Sequence, residues 1–354
     1  MGNLFNERKE KSTKGELLSV TLSNGVTKFS DLNKKDNSNI KSGNYKVVKK
    51  NDIPYNSMRM WQGASGVSSY DGIVSPAYTV LVPNRNSNSN FYAVLFKKKS
   101  ILNLFTRFSQ GLTSDTWNLK YPILKDIIVP FTNLEEQKRI FKIFNVINNL
   151  LALYEKKKQL LTQLKQGIVN FLITKNGQKP QLRFSGFNNN WESKSFEKLL
   201  NYEQPTKYIV KKADYISQGT PVLTANKSFV LGYTNETNVY QNIPAIIFDD
   251  FTLESKYVDF PFMVKSSAIK ILTSENSNLF FIYQLLNNQR FVQEGHSRHY
   301  ISVVQKKKVL VPSIQEQNKI SDLIKQLEDN IELNSNTIVL LKKLKEFLLQ
   351  SMLL

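Results

Sequence analysis

The chain has 354 residues, 41% of them hydrophobic, which is enough for two globular domains and the segments that connect them. The absence of cysteine excludes disulfides and thiolate zinc sites, and His296 and His299 are too few for a multi-histidine metal centre, so no metal or cofactor is expected. Lys and Arg outnumber Asp and Glu by 48 to 29, and the net charge of +19 favours a polyanionic partner such as nucleic acid.

The first element in chain order is a predicted globular domain, residues 1–130. Its N-terminus lacks the apolar region of a secretory signal peptide, and no part of the chain has the roughly 18 consecutive apolar residues of a membrane span, so we expect a cytoplasmic protein without a membrane contact. Short apolar and aromatic runs alternate with polar turns, which is typical of short strands. A helix is predicted around 93–109, and Ile127–Val129 is the predicted last strand.

Residues 131–175 are predicted to form a long helix. Asn133 is a suitable N-cap, with Glu136 three residues later. Apolar residues then recur at alternating spacings of three and four, which places Ile147, Leu151 and Leu161 on one narrow seam, as in a coiled coil. At 1.5 Å per residue, such a helix would be roughly 55–60 Å long.

Residues 176–311 contain a connector and a predicted second domain. Gly177, Pro180 and Gly186 interrupt the connector, so it is expected to be irregular. The domain that follows repeats the pattern of the first, with short apolar runs, a predicted helix at Leu279–Phe291 and a predicted last strand at Val309–Val311.

Residues 312–354 are predicted to form a second long helix. Ser313 and Glu316 form a capping box at its start, and Leu327, Ile331 and Leu341 fall on its apolar seam.

The two helical segments are an internal repeat. Pro130 matches Pro312, and after an indel of two residues the segments align at a constant offset of 180, with Glu136 and Gln137 matching Glu316 and Gln317. The shared seam favours antiparallel packing of the helices on each other and a pseudo-two-fold arrangement, while separate packing of each helix on its own domain remains the alternative. Asn334 and Lys158 interrupt the seam, where we expect them to set the register.

The chain resembles the specificity subunits of type I restriction–modification systems over essentially its whole length. The features that carry the resemblance are the repeated helix starts, their basic tails, the KPQLRFSGFNNNW segment and the two dissimilar domains between the helices. The resemblance implies an α+β fold in which two target-recognition domains are separated by two long antiparallel helices. It also implies that the domains bind the two halves of a split, asymmetric site in double-stranded DNA. The helices would set the spacer and dock two methyltransferase subunits, a separate restriction and motor subunit would complete the complex, and this subunit would have no catalytic residue.

The first domain departs from this pattern at its N-terminus. Met1 aligns near Glu197, so the first domain has no counterpart of roughly residues 182–196. It is therefore expected to be N-terminally short.

Candidate DNA-contacting residues were selected by their ability to bind phosphates or base edges. In the first domain they are Asn56, Arg59 and Trp61, in a segment that resembles a DNA-contacting loop of the family, and Ser114 in a second polar loop. Packing of Trp61 in the core is the alternative. In the second domain they are Lys207, Tyr208, Lys211, Lys227, Arg298 and His299. The runs Lys97–Lys99 and Lys306–Lys308 are candidates for non-specific phosphate attraction.

Enzymatic interpretations have weaker support. Asp249, Asp250, Glu254 and Lys256 resemble a metal-dependent nuclease motif, but their spacing is too short for the usual hairpin placement. The sequence contains neither a phosphate-binding GxxxxGK[ST] loop nor the motifs of a methyltransferase. The alternative function from another class is a non-enzymatic, two-lobed adaptor whose basic surface binds an acidic protein.

Overall fold

The computed structural model describes residues 1–33, 35, 40, 43–174, 179–212, 214–226, 228–291 and 299–352. Its contacts divide the chain into two units, the first formed by Met1–Glu155 with Asn336–Leu354 and the second by Lys156–Ser335. Each unit contains both sheets and helices, so the predicted α+β class is confirmed. The division cuts both long helices, and each unit therefore combines a globular domain with one part of each helix.

The first unit is built from short antiparallel strands and short helices. Its strands are β1 (Phe5–Glu7), β2 (Lys11–Ser12), β3 (Leu18–Thr21), β4 (Gly25–Lys28), β5 (Tyr45–Val48), β6 (Ile53–Asn56), β7 (Gly72–Val74) and β8 (Tyr78–Pro83). Its short helices are α1 (Ser89–Leu95), α2 (Lys99–Phe108) and α3 (Tyr121–Leu124). The strand orders are β1-β8-β6 and β2-β5-β7, and β3 pairs with β4.

The larger core of the first unit joins its strands and short helices to a long helix, α4 (Leu134–Leu172). Phe5 of β1 packs edge-on against Tyr92 of α1, with ring centroids 5.1 Å apart. Phe144 of α4 is fully buried in the same core. Burial of these aromatic side chains contributes roughly 1.5–3 kcal/mol each, which holds the start of α4 against the domain.

The second unit has a comparable composition but a larger sheet. Its strands are β9 (Glu192–Ser195), β10 (Asn201–Glu203), β11 (Thr220–Leu223), β12 (Val230–Thr234), β13 (Ala245–Asp249), β14 (Ser255–Val258), β15 (Met263–Val264), β16 (Ile269–Thr273) and β17 (Lys308–Val311). Its short helices are α5 (Phe196–Leu199) and α6 (Leu279–Asn287), and the second long helix is α7 (Ile314–Ser351). The strand orders are β10-β16-β13-β14 and β12-β11-β15, and β17 pairs with β9.

A buried ion pair lies within the core of the second unit. Lys270 Nζ is 3.4 Å from an Asp250 carboxylate oxygen, and both side chains are almost completely buried. The other Asp250 oxygen accepts a hydrogen bond of 2.7 Å from the Tyr300 backbone N–H. The pair is thus satisfied, as a buried charge requires, and it fixes the chain next to Tyr300.

Both long helices begin as the sequence predicts. Asn133 Oδ1 accepts from the Glu136 N–H at 2.9 Å, and Ser313 Oγ accepts from the Glu316 N–H at 3.5 Å. These contacts satisfy N–H groups that have no partner within the helix, so the two predicted N-caps are confirmed.

In each long helix, the glutamine that follows Glu136 or Glu316 forms hydrogen bonds that connect the domain to the helix. Gln137 is fully buried; its amide donates to the Thr132 carbonyl at 2.8 Å, and its Oε1 accepts from the Asn88 N–H at 2.8 Å. Gln317 makes the same pair of contacts, to Pro312 and Asn278, at 2.9 Å each. Because Asn88 and Asn278 are the N-caps of α1 and α6, each glutamine fixes the position of a domain helix.

The long helices pack antiparallel inside each unit. In the first unit, Ile147 and Leu151 of α4 form an apolar cluster with Ile338 of α7, against which Leu341 packs. In the second unit, Lys165 of α4 forms an ion pair with Glu328 of α7. Leu327 is buried, and Leu161 and Ile331 are half-buried. The seam residues in the sequence therefore lie on the inward side of the helices.

The two polar residues assigned to the seam behave differently. Asn334 is 2% exposed, and its buried Oδ1 has no hydrogen-bond partner in the described part of the chain. Lys158 is exposed and does not interrupt the seam. A register-setting function therefore remains a prediction for Asn334 alone, where the buried amide costs roughly 1–3 kcal/mol.

Two local predictions for the first domain were wrong. The helix predicted around 93–109 is divided into α1 and α2, because residues 96–98 turn between them. Ile127–Val129 forms no strand, whereas the predicted last strand of the second domain, Val309–Val311, lies in β17. The difference has a physical reason: β17 pairs with β9, and no strand among the described residues pairs with 127–129.

Candidate nucleic-acid interface

The Asn56–Gly63 segment of the first unit is a loop with a rigid base. Met60 is fully buried at its centre, and Gly63 ends it with a φ of +88°, a conformation that favours glycine. Asn56 Oδ1 accepts from the Met58 N–H at 3.0 Å, so the Asn56 side chain stabilises the turn. Arg59 is half-buried and forms no ion pair among the described residues, which leaves its guanidinium able to bind an anion.

The structure brings the second predicted loop of this domain against the first. Trp61 packs edge-on on Trp117 with ring centroids 5.3 Å apart, and the Leu119 N–H donates to the Ser57 carbonyl at 2.9 Å. Ser114 is exposed at the tip of the loop that carries Trp117. Trp61 is partly buried against the core, and its Nε1 donates to the Met58 carbonyl, so its ring mainly joins the two loops.

The Lys97 side chain stabilises the Asn56–Gly63 loop, and its amine is occupied by contacts with backbone carbonyls instead of binding phosphates. Its Nζ donates to the carbonyls of Gly63 and Ser65. Burial, reinforced by the nearby Lys345, lowers the pKa of Lys97 to about 8 from its ordinary 10.5. The role suggested for this member of the run 97–99 is therefore corrected from phosphate attraction to support of the loop.

We expect the stability of the first unit to increase as the pH rises from about 8 to 10.5, the folded-state and ordinary pKa values of Lys97. Below the folded-state pKa, folding requires a charged amine to be buried; above the ordinary pKa this cost disappears. Chemical unfolding of the wild type and of Lys97→Met at several pH values measures the effect. Across this window the unfolding free energy of the wild type should rise relative to that of Lys97→Met. A difference between the two proteins that does not change with pH would contradict the assignment.

The candidate residues of the second unit lie around a short turn, Pro205–Tyr208. Lys207 is exposed, whereas Tyr208 packs edge-on against Tyr240 at 5.0 Å and donates its hydroxyl to Glu203 at 3.2 Å. The backbone N–H groups of Lys211 and Lys212 bind the Glu236 carboxylate at 3.0–3.1 Å. The Lys211 side chain is exposed like that of Lys207, and neither forms an ion pair with a described residue, while Tyr208 supports the turn.

The remaining candidates of the second unit are less favourable. Lys227 and Arg298 lie outside the described residues. His299 is 1% exposed, and its Nδ1 lies 3.3 Å from the Asp250 carbonyl oxygen. Because its ring is buried, His299 does not enter the proposal below as a DNA contact.

The acidic residues that resemble a nuclease motif have structural partners. Asp249 Oδ1 accepts from the backbone N–H groups of Phe251 and Thr252, which closes a turn, and Asp250 pairs with Lys270. In the described part of the chain no group of three or more His, Cys, Asp or Glu residues is placed to hold a metal ion. No helix among those residues is long and apolar enough to cross a membrane.

Sequence patterns did not indicate three residues that organise these sites. Trp117 has no spacing relation to Trp61, so only the fold reveals their contact. The function of Gln137 and Gln317 could have been suspected from their exact repetition, which was seen but interpreted only as part of a helix start.

Comparison with known proteins gives consistent matches. The sequence matches the family described as type I restriction modification DNA specificity domain over residues 2–163 and 188–343. It is 50% identical over 123 residues to the EcoR124I/EcoR124II specificity subunit of Escherichia coli, a stretch that spans 32% of this chain and 30% of that protein. It is 23% identical over 304 residues to the putative MjaX specificity subunit of Methanocaldococcus jannaschii, covering 77% of this chain and 69% of the relative.

The fold is also similar to that of a solved structure. The S subunit of a type I restriction–modification system from M. genitalium superimposes with a TM-score of 0.65 at 16% sequence identity, covering 100% of this chain and 94% of the other.

Proposed function

Because the chain belongs to the type I restriction modification DNA specificity family, we propose that it recognises a bipartite, asymmetric target in double-stranded DNA, one half with each unit. Specificity subunits are the non-catalytic DNA-recognition components of these systems. The resemblance inferred from the repeated helices is thereby confirmed, while the division of the target between the two units is the proposal.

The observation that carries the proposal is the repeated glutamine contact. Gln137 and Gln317 fasten the two domains to their helices through the same hydrogen bonds. Two different domains that are attached in the same way to the starts of two repeated helices are what recognition of two separated half-sites requires. The net charge of +19 supplies the sequence-independent attraction to phosphates that accompanies such recognition.

Specific contacts are assigned to the exposed or half-buried polar ends of the loops. In the first unit these are Arg59 and Ser114, with Asn56 and Trp61 holding the loops in place; in the second they are Lys207 and Lys211, held by Tyr208. Arginine can form two hydrogen bonds to guanine in the major groove, and lysine binds base edges or phosphates.

Docking of two methyltransferase subunits on the long helices is the second part of the proposal. Several apolar side chains of these helices face away from the seam: Leu153 is 61% exposed, Leu340 65% and Phe347 66%. In the first unit, an apolar groove of about 500 Å³ lies between Ile143 and Val146 of α4 and Leu344 of α7. Exposed apolar surface of this kind marks a protein interface. A separate restriction and motor subunit would complete the complex.

DNA binding by the purified chain, alone and with its methyltransferase partner, tests the first part. A duplex with the matching split target should bind about 10³-fold or more tightly than a scrambled duplex. With six to ten phosphate contacts, the affinity should fall by roughly 10³–10⁵ between 50 and 200 mM salt. Arg59→Ala should weaken specific binding by about 10-fold or more, the cost of one base contact.

The matched control is Lys138→Ala, which removes one positive charge from α4 in the same unit, where Lys138 pairs with Glu135 at 2.7 Å. It should leave discrimination between the two duplexes unchanged. Equal affinity for the split and scrambled duplexes would favour the other candidate, an adaptor for an acidic protein.

A further inference from the structure

The loop that connects α2 with α3 in the first unit is closed at its base. The Gln110 N–H donates to the Asn118 carbonyl at 2.9 Å, and the Asn118 N–H donates to the Gln110 carbonyl at 2.8 Å. Two residues that exchange both hydrogen bonds form an antiparallel pair, so residues 111–117 are the tip of a hairpin. Residues 110–118 are called the Leu112 loop below.

The tip of the Leu112 loop is held by contacts among its own residues. The Thr113 carbonyl accepts from the N–H groups of Thr116 and Trp117 at 3.0 and 3.1 Å, and from the Thr116 hydroxyl at 2.9 Å. Gly111 has a φ of +147°, and a Cβ there would lie 2.7 Å from the Thr116 carbonyl carbon. Only glycine fits such a position without strain, and together these contacts fix the shape of the tip.

Leu112 points away from the protein at this tip. Its exposed fraction is 101%, so its side chain packs against no described residue, and the next most exposed large hydrophobic side chain in the described part of the chain is Ile128 at 89%. Single exposed leucines are common on protein surfaces, so the exposure alone does not indicate a function. The position of the loop is what makes the exposure informative.

The Leu112 loop is joined to the loop that contains Arg59, to which base contacts are assigned. Trp117 packs edge-on on Trp61 with ring centroids 5.3 Å apart, and the Leu119 N–H, directly after the loop, donates to the Ser57 carbonyl at 2.9 Å. A DNA duplex bound by the Arg59 loop therefore lies next to the Leu112 loop.

The charges around the Leu112 loop also favour DNA. Arg107 precedes the loop and Lys120 follows it; both are exposed, and neither forms an ion pair with a described residue. Such side chains can bind phosphates beside the tip. The residues after Leu112 are Thr113, Ser114 and Asp115, all exposed and polar. One leucine among polar neighbours is too small an apolar surface for a protein interface.

An apolar side chain on a fixed tip, with cations at its base, is suited to insertion into DNA. Several DNA-bending proteins place a leucine, isoleucine or phenylalanine between two base pairs, which partly unstacks them and kinks the duplex. The apolar side chain takes the place of a stacking partner, and cations hold the backbone on either side.

We propose that Leu112 inserts between two adjacent base pairs in or beside the half-site that the first unit binds, and kinks the DNA there. This proposal rests on the proposed DNA recognition by the first unit and adds a deformation of the DNA to the contacts with base edges. Because pyrimidine–purine steps unstack most easily, Leu112 would favour particular bases at a step where no hydrogen bond distinguishes them.

The bend of the DNA in the complex is the first measurement. The full chain with its methyltransferase partner is bound to a duplex that contains the split target and carries a fluorophore at each end, and energy transfer between the fluorophores gives the bend. The wild type should bend the duplex by about 20–90°. Leu112→Ser should remove most of this bend, whereas Leu112→Met, which keeps an apolar side chain of similar volume, should retain it. Both variants should fold like the wild type, since the Leu112 side chain is fully exposed.

The step at which Leu112 inserts is located by a second measurement. A single mismatch is moved through the first half-site and its flanks, one position per duplex, because a mismatched pair is unstacked more easily. At the insertion step, the mismatch should favour binding of the wild type over Leu112→Ser by about 10-fold or more, since only the wild type has to unstack that pair. At the other positions it should change the affinity of both proteins equally.

The matched control is Phe108→Ser. Phe108 is 41% exposed at the end of α2, two residues before the Leu112 loop, and its replacement also removes an exposed apolar side chain. This variant should bend the duplex and respond to the mismatches like the wild type.

Three results would overturn the proposal. A straight duplex in the wild-type complex, with the split target still preferred over a scrambled one, would exclude the insertion and leave the proposed DNA recognition intact. An equal bend with the wild type and Leu112→Ser would assign the bend to other residues. No preference for the split target would overturn the proposed recognition and the insertion together.

Discussion

Removal of one heptad from each long helix is expected to shorten the unspecified DNA spacer by about three base pairs. The matched deletions are 156–162 in α4 and 333–339 in α7. They leave the ion pairs Glu155–Lys342 and Lys165–Glu328 on either side intact and preserve the heptad register of the seam. Seven helical residues correspond to about 10.5 Å, and each base pair to about 3.4 Å along the DNA.

The shortened protein should also bind its new target less tightly. Three base pairs rotate the DNA by about a third of a turn, and the protein or the DNA must absorb this twist. Sequencing of methylated bases in cells that express the variant with its partners measures the spacer directly. Deletion of 156–162 alone is the control and should abolish methylation, because the helices would no longer match in length. An unchanged spacer in the doubly deleted variant would contradict a ruler function for the helices.

Replacing apolar seam residues with charged ones is expected to weaken binding to the full split target while leaving binding to each half-site nearly unchanged. Leu151 is 9% exposed within the apolar cluster of Ile147 and Ile338, and Ile331 is half-buried on α7. Replacing both with glutamate would bury unpaired charges at a cost of several kcal/mol, which the helices avoid by separating. Loss of this packing should weaken binding to the split duplex by about 10²–10⁴, the gain that linked binding provides.

Duplexes that contain only one half-site distinguish this effect from unfolding. Their affinity should change by less than about 3-fold, since each domain keeps its own core. Leu160→Glu combined with Leu333→Glu provides the control, because these side chains are 54% and 63% exposed on the same two helices. The control should bind the split duplex like the wild type. Equal losses for half-sites and split sites in the Leu151 and Ile331 variant would indicate damage to the domains instead.

The sequence predicted those parts of the structure that depend on local patterns. The N-caps Asn133 and Ser313 and the apolar seam follow from side-chain chemistry and helical periodicity, which act within a few residues. The sequence did not predict that Ile127–Val129 would remain unpaired, because a strand requires a partner that the local pattern does not reveal. The match of Pro130 with Pro312 was wrong: Gln137 binds the Thr132 carbonyl and Gln317 binds the Pro312 carbonyl, so Thr132 occupies the position of Pro312. The hydrogen bonds, and not the identity of the residues, fix this register.

The candidate interface was predictable only in outline. The sequence selected the Arg59 and Ser114 loops separately, and the fold joined them through Trp61 and Trp117. Lysine content indicated a basic surface, but it could not show that Lys97 is turned inward or that His299 is buried. Such differences arise from burial, which depends on contacts between distant parts of the chain.

Mapping of methylated adenines in cells that contain this chain and its methyltransferase partner, with and without the gene for this chain, tests the central claim most directly. The account predicts a split, asymmetric methylation motif with a fixed spacer, and this motif should disappear when the chain is absent. In the Arg59→Ala variant, only one half of the motif should change. A motif that persists without the chain, or a continuous motif with no spacer, would contradict recognition of a bipartite target by its two units.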